Sequence, residues 1–105
     1  MAAEAIVFVF RLFVAGQSER SQAAEANLRA LCDDHLAGRY KLEVIDTVQR
    51  PDLAEVERIL ATPMVVRLAP LPPRRVIGDL SHHRRAAAAL GIPIPGDPPS
   101  ERTTP

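Results

Sequence analysis

Residues 6–14, IVFVFRLFV, are apolar at every position except Arg11. Few folds can accommodate such a run. A strand with one wet face alternates apolar and polar side chains, so an unbroken run belongs to a strand covered on both faces, as at the centre of a parallel sheet flanked by helices. A secretory signal core would need a basic flank ahead of it, and Arg11 interrupts the apolar stretch. A membrane-spanning helix would need about 20 apolar residues. The run is therefore read as a buried strand of a soluble α/β domain.

The residues that follow supply the rest of such a domain. Ala15-Gly16-Gln17-Ser18 breaks the strand, and over residues 19–36 the apolar positions Ala24, Leu28, Leu31, Cys32 and Leu36 recur at helical spacing. Ser18 or Ser21 is available as N-cap and Gly38 as terminator. In residues 40–44, Tyr40, Leu42 and Val44 alternate with Lys41 and Glu43, which predicts a second strand with one more solvated face and a right-handed βαβ unit. A short second helix opens at Pro51, carries Leu53, Val56 and Leu60 on one apolar face, and stops before Thr62-Pro63. Residues 64–68 (MVVRL) and 74–77 (RRVI) read as a hairpin joined by the stiff segment APLPP. After Gly78-Asp79 comes a last helix, with Ser81 as N-cap, 86–90 as body and Gly91 at the C′ position. From Ile92 onward five prolines in fourteen residues leave little to bury, which predicts a folded domain over 1–91 and a disordered tail over 92–105.

Composition narrows the function classes. With thirteen basic and thirteen acidic side chains, no net field draws the chain to nucleic acid or to an anionic membrane. Its single cysteine excludes a disulfide framework, a CxxC redox pair and a four-cysteine metal site, and it suits a reducing cytoplasm. Cys32, flanked by Leu31 and Leu36, reads as a core residue and not as a reactive thiol. His82 and His83 are helix neighbours whose side chains point apart, with no third ligand at chelating spacing, so they read as solvated and no metal is expected. Asp33 and Asp34 read as a solvated helix end. No Ser-His-Asp order, paired-carboxylate motif or phosphate loop is present. The chain is read as a non-enzyme that needs no cofactor.

Four segments, LFVAGQS (12–18), YKLEVID (40–46), ILATPMVV (59–66) and RRVIGDLS (74–81), together resemble the KaiB family of circadian clock proteins. The resemblance runs from about residue 6 to residue 90. It implies a thioredoxin-like βαβαββα domain with a cis-proline, Pro63, before the third strand. It also implies a second, tetrameric fold available to the same sequence, and docking onto the ATPase ring of a KaiC-type protein. In redox thioredoxins the loop after the first strand carries two cysteines; here that loop is AGQS, which excludes thiol-disulfide chemistry. By resemblance, the surface facing the KaiC-type hexamer is assigned to Gln49, Arg50, Pro51, Asp52, Thr62, Pro63, Leu71, Pro72, Pro73, Arg74 and Arg75, gathered at the cis-proline end. Taken without the family, Arg74 and Arg75 are an ordinary solvated strand edge, and Pro63 a turn-shaping residue.

Three departures from the family pattern carry further expectations. A basic residue is usual where this chain has Glu43, and a small one where it has Lys41, so a KaiA-type partner is not expected. Residues 82–85, HHRR, replace a turn that is usually acidic. Ala89 stands where a glycine is usual and Gly91 where an aspartate is usual. Because AAAALG favours a helix over a strand, Ala89, Gly91 and Pro63 are read as fold-state determinants that make the thioredoxin-like form the resting state, as a monomer or small homo-oligomer. Two other functions remain open at this point: a cysteine-less thioredoxin-like chaperone or stress-response module, and a detached sensor domain acting with a histidine kinase.

Overall fold

A computed structural model describes residues 6–94. The elements run β1 (Phe8–Val14), α1 (Glu19–His35), β2 (Tyr40–Asp46), α2 (Pro51–Val56), β3 (Met64–Ala69), β4 (Arg74–Ile77) and α3 (His83–Leu90). The sheet order is β2-β1-β3-β4, with β1 parallel to β2 and antiparallel to β3, and with β3 and β4 forming a hairpin. The apolar run thus occupies an interior strand.

Alternation along β1 divides the core in two. Phe8, Phe10, Leu12 and Val14 point to one face, where they pack with Ala24, Leu28, Leu31, Cys32 and Leu36 from α1 and its C-cap and with Ala86, Ala87 and Leu90 of α3. Phe13 points to the other face and meets Ile45, Met64 and Val66, covered by Leu53 and Ile59. Helix α1 begins where the Ser18 hydroxyl accepts from Ser21 N at 3.1 Å, which satisfies one orphan donor of the first turn. Its five apolar positions named from spacing are all buried.

The sequence expectations need correction at four places. Val56 and Leu60 are not core residues: α2 ends at Val56, and the two side chains are 74% and 93% exposed. Of this segment Leu53 and Ile59 pack against the sheet, because a six-residue helix, under two turns long, cannot carry a stripe that runs from Leu53 to Leu60. Val44 is likewise exposed, and Ile45 is the buried residue at that end of β2. Ser81 does not cap α3. Its N–H donates to Asp79 Oδ1 at 3.0 Å, and His82 takes the cap position without a side-chain bond. Finally, Ile92 is buried and its N–H donates to Ala87 O at 2.8 Å, while Ile94 packs against the same cluster. The packed unit therefore extends past the expected boundary at 91; residues 95–105 of the expected tail lie outside the described residues.

Candidate partner-docking surface

β1 and β2 end at the same edge of the sheet where β3 begins and β4 ends, as the pairs Phe13 with Met64 and Met64 with Ile77 require. Thr62–Pro63 enters β3 here through a cis peptide. Pro63 is buried and its carbonyl accepts from Gly78 N at 2.9 Å, so it joins the loop to the hairpin and presents little of itself to a partner. Thr62 is half-buried.

Next to it, Asp46 builds the turn that holds Gln49 and Arg50. Its Oδ1 accepts from Val48 N at 2.9 Å and from Gly16 N at 3.2 Å, while its backbone oxygen accepts from Arg50 N at 2.8 Å. Thr47 Oγ1 donates to Val14 O at 3.0 Å and fixes the turn to β1. Gln49, Arg50, Pro51 and Asp52 are all exposed. The Arg50 guanidinium meets both Asp52 oxygens, at 3.2 and 3.1 Å. That hydrogen bond holds the Asp52 carboxyl below its ordinary value and raises the guanidinium above its own.

The segment from 48 to 60 carries three large apolar side chains in water: Val48, Val56 and Leu60. Val56 and Leu60 were expected on the apolar face of α2, and the shortness of that helix leaves them in water; Val48 lies ahead of it in the turn built by Asp46. Their carrier is held by charge. Arg75 Nη2 donates to Glu57 O at 2.6 Å and Nη1 to Arg58 O at 3.5 Å, and Arg58 sits at φ 56°, a conformation that costs a non-glycine residue about 1 kcal/mol or more. Glu57 also lies 3.6 Å from both Arg75 and Arg11, and Arg11 Nε donates to Glu43 at 3.1 Å. A chain of alternating charges, Glu43, Arg11, Glu57 and Arg75, thus crosses the α2 side of the sheet.

The remaining expected site residues lie elsewhere. Arg74 pairs with Arg67 in the β3–β4 register, three positions from the Met64–Ile77 pair. Leu71, Pro72 and Pro73 form the hairpin connection beyond Arg74, at the opposite end of the sheet from Pro63. At about 3.3 Å per residue, a six-residue β3 sets the two groups about 20 Å apart. The Ala69–Pro70 and Leu71–Pro72 peptides are also cis.

At that far end stands a residue to which the sequence reading gave no role. Arg67 is only 4% exposed. Its Nη1 donates to Leu90 O at 2.8 Å and its Nη2 to Pro72 O at 2.6 Å, and its Nε has no partner among the described residues. Desolvation, reinforced by the charge of Arg74, lowers its pKa from the ordinary arginine value. The signal in the sequence was a lone arginine inside the apolar run MVVRL.

Cys32 is fully buried on α1, and burial, with the Asp33 charge second, pushes its thiol up to about 12, whereas a reactive thiol needs a lowered pKa. Among the described residues no three His, Cys, Asp or Glu side chains come together as a metal site, and no helix is long and apolar enough to cross a membrane.

The topology, with α1 and α3 on one face, α2 on the other and a cis-proline before β3, defines a thioredoxin-like domain. Among solved structures it is similar to the N-terminal domain of Synechococcus elongatus SasA (TM-score 0.66, 24% identity, 82% of each chain) and to chloroplastic thioredoxin z (TM-score 0.60, 25% identity, 69% of this chain and 66% of the other). The KaiB domain matches residues 11–92. The chain is 39% identical over 84 residues to circadian clock protein KaiB3 of Synechocystis sp. (80% of this chain, 82% of that protein) and 40% identical over 85 residues to circadian clock oscillator protein KaiB of Prochlorococcus marinus (81% and 71%). This chain belongs to the KaiB family.

Proposed function

We propose that this protein is a non-catalytic regulatory adaptor of the reducing cytoplasm that docks onto the ATPase ring of a KaiC-type hexamer. Family membership over residues 11–92 carries the reading, and the physical character of the surface fits it. Exposed apolar side chains rimmed by charge are what a protein-docking patch requires, and Val48, Val56 and Leu60 stand beside Arg50 and Asp52 in one segment. The docking surface is accordingly placed on 48–60 and the Pro63 end, with Arg75 holding it in shape, and not on Leu71–Pro73 or Arg74. A KaiA-type partner is left out of the proposal because Lys41 and Glu43 change the charge pattern of the β2 edge.

Capture of the cognate KaiC-type ATPase on the immobilised protein tests this. Changing Val56 and Leu60 together to aspartate should lower capture about ten-fold or more with the circular-dichroism spectrum unchanged, and Arg74→Glu should leave capture intact. Equal capture by the Val56/Leu60 variant would refute the placement; no capture by the unaltered protein would refute the function.

A further inference from the structure

β2 is an edge strand, and its edge is complementary to itself. Phe8 N donates to Arg39 O at 2.9 Å and Thr47 N to Val14 O at 2.7 Å, so the odd-numbered residues of β2 turn their backbone groups toward β1. In a parallel ladder the alternate residues face away. The N–H and C=O groups of Tyr40, Leu42 and Val44 therefore line the outer edge, which no strand pairs among the described residues. Unpaired edges are normally blunted by proline, a bulge, a cover or a charged side chain, lysine above all, and Lys41 serves that purpose against any strand that does not set a carboxylate opposite it. Here β2 contains no proline, and its register with β1 is unbroken over seven residues.

The side chains select a partner. Lys41 and Glu43 lie two residues apart, hence on one face, and both are exposed. Consider a second copy of β2 placed antiparallel about a two-fold axis at Leu42. Leu42 then faces Leu42, each Lys41 faces Glu43 of the other copy, and each exposed Val44 faces Tyr40. The pairs at Leu42 and at Tyr40 with Val44 are the hydrogen-bonded ones, as the outward backbone groups require. Moving the axis to Glu43 sets glutamate against glutamate; moving it to Lys41 sets lysine against lysine; moving it to Val44 sets Leu42 against Asp46. One register satisfies backbone, charge and apolar pairing together. Arg11 occupies one oxygen of Glu43, and an ionised carboxylate retains acceptor capacity for a lysine.

We propose that β2 is a self-association edge through which two copies of this chain form an antiparallel, two-fold dimer centred on Leu42. The interface is one strand wide and below the usual size of a permanent contact, so the dimer is weak, with a dissociation constant of about 10–500 μM. It uses a different part of the molecule from the 48–60 surface and does not depend on the proposed function.

Sedimentation equilibrium over rising concentration reads it out. Lys41→Glu and Glu43→Lys should each weaken dimerisation about ten-fold, because each sets two like-charge pairs across the axis. An equimolar mixture of the two variants should restore dimers, since every cross-strand pair is then opposite in charge. Val44→Pro removes a donor on the outer edge only and should also abolish dimers. It serves as the second variant if Glu43→Lys, which gives up the Arg11 pair, folds poorly. A chain that stays monomeric to about 1 mM, dimers indifferent to these substitutions, or a variant mixture that fails to associate would each overturn the proposal.

Discussion

The guanidinium of Arg67 fills the space that a Cβ on Gly91 would need. Gly91 closes α3 in the left-handed conformation at φ 72°, and its bare Cα lets Arg67 Nη1 reach Leu90 O. Two demands, backbone handedness and side-chain access, converge on one residue.

Gly91→Ala should consequently cost more than the usual penalty for a left-handed alanine. Roughly 1 kcal/mol comes from the backbone and more from displacing Arg67, for a total of about 2 kcal/mol. Urea unfolding measures it; a loss under about 0.5 kcal/mol would mean that the guanidinium moves aside without cost.

Arg67→Ala should destabilise the domain by about 2–3 kcal/mol, since it empties the space of a buried stem and strands the Leu90 and Pro72 carbonyls. The loss should be visible locally. Hydrogen exchange at Ile92 N–H, which bonds Ala87 O, should accelerate more than exchange at α1.

Cys32 should resist thiol reagents in the folded protein, with labelling that follows global unfolding. The sign of its pH effect is fixed by the direction of the shift. Its folded pKa is raised from 9.0 to about 12, so the unfolded chain releases the proton first. Stability should be insensitive to Cys32 below pH 9 and fall between 9 and 12. Denaturation midpoints across that range, compared with Cys32→Ala, isolate the contribution.

The thioredoxin-like form is expected to be the resting state, as a monomer or weak dimer. Ala89 is exposed within α3, so Ala89→Gly should weaken this form by about 0.5–1 kcal/mol and raise the population of any competitor fold. Light scattering with NMR secondary shifts decides the matter. A tetramer with extended shifts at 87–90 in the unaltered protein would contradict the expectation.

The sequence by itself determined the element order and most of the core. Residues 6–14, the five α1 positions and the AAAALG helix end each follow from period and local chemistry, which act over a few residues and are read directly from the chain. Gly91 was placed at the end of α3 for the same reason, and Ser18 was one of two candidate N-caps of α1 that the structure separates. Grouping Leu71–Pro73 with Pro63 overlooked what the strand read over 64–68 already implies, that the loops before and after it lie at opposite ends of the sheet. Tertiary structure alone decided that Val56 and Leu60 face water, because the length of α2, and not its pattern, limits what reaches the sheet. Arg67 is the clearest case: an arginine in an apolar run reads as a surface residue, and only the carbonyls of Leu90 and Pro72, brought from distant positions by packing, make its burial possible.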